Sequence, residues 1–254
     1  MTKLAAQLYT LRAQMQTPDA IDEGFERLAE DGWKAVQASG LGPIPPCDLK
    51  ALADKYGLTI CATHVSFDAL SGDLESVIRD HVLLDCPYIG LGSMPDRFRG
   101  SAEGYKEFAG LITPIAQVIR DAGHTFVYHN HNFEFTRFGA QTGMDILLEE
   151  CGSAVQFEPD TYWIQAGGGD VIHWLRKLNG RVEVVHFKDM VYDLNAHGPI
   201  MAEIGEGNLN WPQILKVCRE IGVRWHIVEQ DVCQRDPFDS LKMSLDNLAK
   251  LGLD

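Results

Sequence analysis

Short apolar runs alternate with amphipathic stretches along the whole chain, and the alternation predicts eight strand–helix pairs. Leu4–Leu8 reads as the first strand, closing at Tyr9. Thr17-Pro18-Asp19 opens a helix, with Thr17 as N-cap and Pro18 at the first helical position. Ile21, Phe25, Leu28 and Ala29 give that helix its apolar stripe, and Gly32 ends it. Trp33–Gln37 is the second strand. A Gly/Pro-rich loop from Gly40 to Pro46 leads to a helix marked by Leu49, Leu52, Ala53 and Tyr56 and stopped by Gly57. Leu58–Thr63 is the third strand and delivers His64, with a helix around Leu74–Leu84 behind it. Pro87–Leu91 is the fourth strand. A long helix over Ala102–Ala122 follows, which Pro114 is expected to kink or divide. His124–His129 is the fifth strand. Thr142 and Asp145 have the spacing of a capping box ahead of the helix Met144–Glu150. Ala154–Phe157 is the sixth strand, Val171–Leu178 a helix after Gly167-Gly-Gly, and Val182–Phe187 the seventh strand. A long loop, Met190–Asn208, precedes a helix capped by Asn210. Trp225–Val228 is the eighth strand, and Asp236-Pro237 opens the last helix.

Eight βα units in sequence imply a parallel sheet, and at this length a closed (β/α)₈ TIM barrel, an α/β fold in one domain over residues 1–254. A doubly wound open sheet is the competing arrangement. It would carry a glycine-rich phosphate turn after the first strand, where this chain has Tyr9-Thr-Leu-Arg12.

Composition narrows the function classes. A formal net charge of −14, without a Lys/Arg cluster, disfavours binding to a nucleic-acid backbone. No apolar run is long enough to span a membrane, and the N-terminus lacks the apolar core of a signal peptide, so a cytoplasmic protein is expected. The six cysteines have neither zinc-site nor disulfide spacing and read as reduced thiols.

The chemistry collects where strands end. Apolar Phe126-Val-Tyr runs into His129, Asn130, His131 and Glu134. The third strand gives His64. The sixth gives Glu158 and Asp160, the seventh His186, Lys188 and Asp189, and the eighth Glu229 and Asp231. In a barrel these ends share one face, and residues two apart point the same way. Each residue also has a plain reading. His129 could be a hydrogen-bonded strand end, Glu158 a turn cap, Lys188–Asp189 an ion pair, Asp231 a cap, and Trp163 or Trp211 core. His81, His124, His173 and His226 fall on helices or strand starts and read as structural. Together, however, several carboxylates facing one cavity would repel one another, and a divalent cation relieves that cost.

By these residues the chain resembles the sugar phosphate isomerase/epimerase, or xylose isomerase-like, TIM-barrel superfamily. The resemblance lies in Gln7-Leu-Tyr-Thr-Leu-Arg12, Tyr128-His-Asn-His-Asn-Phe-Glu-Phe135, Asp160-Thr-Tyr-Trp163, Val185-His-Phe-Lys-Asp189, Glu203-Ile-Gly-Glu-Gly207 and Val228-Glu229. It implies a metal site of Glu134, Asp160, His186 and Glu229, with His129 or His131 as the alternatives to Glu134. The metal it implies is Mn²⁺ or Mg²⁺, with Co²⁺ or Zn²⁺ as alternatives. The substrate implied is a sugar or cyclitol, held by His64, His129, His131, Trp163 and Lys188. Trp163 stands where ketose 3-epimerases of the superfamily carry a substrate-binding histidine, which weighs against plain free-ketose epimerisation. No phosphate-binding turn or arginine pair is visible in the sequence.

The expected reaction is isomerisation or epimerisation beside a carbonyl, through an enediolate, with Glu134 and Glu229 as the acid/base pair. Its nearest rival is elimination of the β-substituent of a 3-keto sugar, 3-keto-glycoside or inosose by a lyase. More remote are a non-catalytic sugar-binding barrel and an endonuclease IV-like phosphodiesterase. A homodimer is the base-rate assembly.

Overall fold

The computed structural model describes residues 3–253; Met1, Thr2 and Asp254 of the expected domain lie outside them. Eight parallel strands form the sheet: β1 Lys3–Gln7, β2 Ala35–Ala38, β3 Thr59–Val65, β4 Tyr88–Leu91, β5 Thr125–His129, β6 Val155–Glu158, β7 Val184–Phe187 and β8 Trp225–Val228. Neighbours run β6-β5-β4-β3-β2-β1-β8-β7. Parallel bridges Phe157–Val182 and Asp160–His186 bring β6 to β7, which nearly closes the barrel. Each strand lies within about two residues of the position its apolar run predicts.

The local signals explain most of the helices between them. Thr17 Oγ1 accepts from Ala20 N and caps Pro18–Glu30. Thr142 and Asp145 make the reciprocal capping box ahead of Gly143–Glu150. Gly32 and Gly57 stop their helices in the left-handed region, at φ of 104° and 67°. Pro114 does not divide its helix, which runs unbroken from Ala102 to Asp121. The residue four before it, Gly110, is exposed, so its carbonyl, which loses the N–H of residue 114, can bond to water. A helix over Phe67–Gly72 and an antiparallel ribbon, Asp189–Asp193 with Gly198–Ala202, fall where loops were expected. Among the described residues no helix is long and apolar enough to cross a membrane.

The core has two parts. Outward strand positions such as Val36, Ile89, Phe126, Phe157 and Phe187 pack against the helices. Burial of such side chains stabilises by about 1.5–3 kcal/mol each. Inward positions form a second, smaller cluster of Ala5, Ala35, Cys61, Ala62, Tyr88, Val127, Val184, Trp225 and Ile227. Two residues further along five of the strands the same inward face turns polar: Ala5 is followed by Gln7, Ala35 by Gln37, Val127 by His129, Val184 by His186, and Ile227 by Glu229. A bulge makes β3 fit this pattern. Val36 pairs with Ile60 but Gln37 with Ala62, so Cys61 is the extra residue, and beyond it Ala62 and His64 point inward. The interior is therefore apolar at one end and polar at the carboxyl ends of the strands.

Candidate metal centre and cavity

At the polar end, ligand atoms of His129, Asp160, His186 and Glu229 lie within 4.8 Å of one another, and all four residues are buried. His129 Nε2 is 3.3 Å from Asp160 Oδ2 and 3.9 Å from Glu229 Oε2. His186 Nδ1 is 3.0 Å from Glu229 Oε2 and 3.9 Å from Asp160 Oδ2.

The outer hydrogen bonds decide which atoms these imidazoles present. Gln7 Oε1 accepts from Tyr9 N, so its Nε2 is the donor to Gln37 Oε1, at 2.8 Å. Gln37 Oε1 is then also the acceptor 2.6 Å from His186 Nε2, which must carry the hydrogen. His129 Nδ1 faces the Gly92 carbonyl at 3.0 Å and must carry its hydrogen too. That leaves His186 Nδ1 and His129 Nε2 as the nitrogens that face the two carboxylate oxygens and that would present lone pairs to a bound ion. Two imidazoles and two carboxylates converging on one point, with the Lys188 ammonium beside the carboxylates, form a donor set that a divalent cation would fit. The donor set of two imidazoles and two carboxylates suits a borderline-hard ion such as Mn²⁺, Mg²⁺, Co²⁺ or Zn²⁺.

Glu134, expected in the ligand set, does not join this group. It is fully buried, but its carboxylate is turned away from the group: Tyr128 Oη donates to Oε1, and His131 N donates to Oε2 at 2.9 Å. Burial pushes its pKa up to about 7, against the lowering effect of those donors. Glu134 thus clasps the turn that carries His129 and His131, and His129 takes the fifth-strand place among the convergent atoms. Strand parity is the sequence signal for this, because His129 has the inward phase of Val127 while Glu134 lies in a 3₁₀ turn beyond the strand.

Asp160 has two roles. Oδ2 faces the imidazoles, while Oδ1 accepts from Trp163 N at 2.8 Å and caps a helix, Thr161–Ala166, that the sequence did not suggest. Glu158, read as a cap, instead stands between two imidazoles. Its Oε2 is 2.6 Å from His64 Nε2, and its Oε1 is 3.2 Å from His186 Nε2. Burial opposes its ionisation, but His186 and His64 hold it well below the ordinary carboxylate range.

The suggested Lys188–Asp189 ion pair is absent among the described residues. The Lys188 ammonium, fully buried, lies 3.0 Å from Asp160 Oδ2, 2.8 Å from Glu229 Oε2 and 2.7 Å from Asp231 Oδ2. Burial disfavours this cation, but the three carboxylates keep it protonated. Burial likewise opposes ionisation of Glu229, and Lys188 and His186 outweigh it and hold its pKa well below the usual range. Asp189 is a loop anchor. Its carboxylate accepts from the backbone of Gly205 (2.9 Å), Gly207 (3.1 Å) and Leu209 (3.2 Å) and from Trp211 Nε1 (2.5 Å). Trp211 therefore belongs to the fold, and a Cβ at Gly207 would sit 2.3 Å from Asp189 Oδ1.

A cavity of about 670 Å³ opens above this floor, within the size range of small-molecule sites. His64, His129, His131, Trp163, Glu229 and Asp231 line it. His131 stacks on Phe133 and lies 5.3 Å from the Trp163 ring, and Lys188 Nζ stands 5.3 Å from the same ring. Tyr9, Arg12, Phe67 and Arg97 complete the walls, with the Arg12 guanidinium 4.3 Å from the Tyr9 ring and hydrogen-bonded to the Asp231 carbonyl. Gln7, Gln37 and Arg12 carry no strand-end signal of their own; the inward parity after Ala5 and Ala35 is the pattern that points to the two glutamines.

Comparison with known proteins gives a consistent picture. The profile of the xylose isomerase-like TIM barrel family matches residues 24–251. No curated protein sequence matches the chain. Among solved structures, a sugar phosphate isomerase/epimerase from Parabacteroides distasonis superposes with a TM-score of 0.82 at 22% identity, over 97% of this chain and 93% of the other. A D-allulose 3-epimerase from Methylomonas sp. gives 0.72 at 15% identity, over 98% of each chain. A probable 3-DHS dehydratase from Bacillus anthracis gives 0.72 at 15% identity, over 98% and 99%. At these identities the likeness is one of fold.

Proposed function

The chain belongs to the xylose isomerase-like TIM barrel family, and from that premise and its cavity floor we propose a divalent-metal-dependent enzyme. It removes a proton from the carbon beside a carbonyl in a sugar or cyclitol, as an isomerase or epimerase. The observation that carries this is the convergence of two imidazole nitrogens and two carboxylate oxygens beneath a sugar-sized cavity. His129, Asp160, His186 and Glu229 would hold the ion, Mn²⁺ or Mg²⁺ in the first instance. When bound, such an ion polarises a carbonyl and stabilises charge developing on its oxygen.

The residues supply the rest. Glu229 Oε2 faces the ligand group, while Oε1 accepts no hydrogen bond among the described residues and belongs to a residue that lines the cavity. Glu229 is therefore placed to take the proton through Oε1. Lys188 spends its three N–H groups on Asp160, Glu229 and Asp231 and so holds these carboxylates in place beneath the cavity. His64 and His131 face substrate hydroxyls. Trp163 offers an aromatic wall against which a sugar face stacks.

One observation favours a second outcome of the same deprotonation. Epimerisation needs a proton-transfer group on each face of the reacting carbon, and Glu134, the expected partner of Glu229, is occupied by Tyr128 and His131. Elimination of a β-substituent needs that proton removed from one face only. A 3-keto-glycoside or an inosose would then be the substrate and the protein a lyase.

The test is solvent-deuterium exchange at the α-carbon, with product analysis on 3-keto-glucosides, inososes and free ketoses. Glu229→Gln should abolish exchange on whichever compound is turned over. Exchange retained in that variant would remove Glu229 from the mechanism. Dehydrated or aglycone-free products would decide for the lyase.

A further inference from the structure

Glu158 ends β6, is fully buried, and divides its two oxygens between two imidazoles on different strands. Gln37 Nε2 donates to Oε1 at 3.0 Å, and His186 Nε2 lies 3.2 Å from the same oxygen. His64 Nε2 lies 2.6 Å from Oε2. A carboxylate accepts and does not donate, so the imidazole nitrogens facing it carry hydrogen. For His186 the same assignment follows independently from the Tyr9–Gln7–Gln37 chain. For His64 the consequence lies on the other side of the ring. Its Nδ1 is left as a lone pair with no partner among the described residues, on a side chain that lines the cavity.

The neighbouring strand is shaped around that ring. A Cβ on Gly90 would lie 2.7 Å from His64 Cδ2, and one on Gly92 would lie 2.8 Å from Nδ1. Both are tighter than side chains tolerate, so the two glycines of Gly90-Leu-Gly92 make room for the imidazole, and Gly92 keeps Nδ1 uncovered. The ring also lies against that of His186, with centroids 5.4 Å apart and planes 28° apart.

We propose that Glu158 is a positioning residue that sets the hydrogen-bond polarity of His186 and His64 together. It holds His186 with its Nδ1 lone pair toward the candidate metal, and it makes His64 Nδ1 an acceptor for a substrate hydroxyl. The second half rests on the sugar or cyclitol reading above; the first does not. One carboxylate thus couples the metal floor to the cavity wall.

The experiment uses the full chain. Two-bond ¹H–¹⁵N correlation spectra of the Zn²⁺-loaded protein report which nitrogen of each histidine carries hydrogen. The expected result is His64 protonated at Nε2 with Nδ1 bare. Glu158→Gln, whose amide can present a donor, should disturb the His64 tautomer and weaken Mn²⁺ binding measured by calorimetry by about 10–100-fold. Glu158→Asp should recover part of that affinity. A wild-type His64 that carries its hydrogen on Nδ1 overturns the proposal, and that measurement needs no variant to fold. So does a folded Glu158→Gln protein that binds Mn²⁺ within twofold of wild type with its His64 tautomer unchanged. Both readouts are independent of turnover, so failure to find a sugar substrate would strike the proposed function and not the role of Glu158 toward His186.

Discussion

Lys188 Nζ lies 2.8 Å from Glu229 Oε2, the same oxygen that His186 Nδ1 approaches at 3.0 Å. A buried ammonium and a candidate metal thus share the negative charge of Asp160 and Glu229. Removing one partner of a buried charge cluster costs about 3–5 kcal/mol. Lys188→Met should therefore lower the melting temperature in chelator by roughly 10 °C. Added Mn²⁺ should restore more of it than the same ion adds to wild type. Differential scanning fluorimetry with and without metal checks both parts; equal metal-induced shifts in the two proteins would argue against shared charge.

His129 stands among the convergent ligand atoms and Glu134 does not, and metal content tests which of them would hold an ion. His129→Ala should lose tightly bound metal after gel filtration, as read by elemental analysis, whereas Glu134→Gln should keep it. The pH dependence of Glu134 is a further check. Its folded pKa of about 7 lies above the ordinary value of 4.5, so its contribution to stability is full below 4.5 and is lost as pH rises through 7. Glu134→Gln should therefore gain stability relative to wild type between pH 5 and pH 8. A stability difference that does not change with pH would mean that Glu134 is ionised throughout.

His226 gives the opposite sign. It is buried on β8 against Phe187, and neither ring nitrogen has a hydrogen-bond partner among the described residues. Burial holds its pKa down at about 4, against an ordinary value of 6.5. The unfolded chain then binds more protons, so stability present above 6.5 is lost as pH falls toward 4, by roughly 3 kcal/mol for a shift of this size. Urea denaturation of wild type and His226→Leu in chelator should show that difference narrowing in the variant by about this amount. Parallel curves would sink the assignment.

Asp189 predicts a local loosening. Asp189→Asn exchanges one acceptor oxygen for a donor facing backbone N–H groups and the Trp211 indole. Hydrogen–deuterium exchange should rise across residues 203–211 with little change in the barrel strands. Uniform protection across that segment would show that the loop is held by other means.

The barrel was legible because each strand is a short apolar run bounded by turn residues, and eight such runs admit few arrangements. Residues at strand ends were legible for the same reason: Asp160, His186 and Glu229 lie at or just past strand ends and converge. What the sequence concealed depends on contacts between distant segments. The bulge at Cys61, which re-aims His64, is a matter of pairing with β2. The direction of Glu134 is set by Tyr128 Oη, and that of Glu158 by imidazoles on β3 and β7. Pro114 lies within a continuous helix because the carbonyl it leaves without a donor is on the exposed side, at Gly110, a matter of burial that local sequence does not show.

Asp160 joins the floor of the cavity to its wall through one carboxyl group, since Oδ1 caps the helix that begins with Thr161-Tyr-Trp163 while Oδ2 points at the ligand group. If the proposed ion binds, its radius and the position of the Trp163 ring would be linked through Asp160. Exchanging Mg²⁺ for the larger Mn²⁺ should then reorder the preference among candidate sugars of different breadth and not merely rescale the rate. A ratio of kcat/KM between two such sugars that stays constant across the two ions would show that the hinge at Asp160 absorbs the difference.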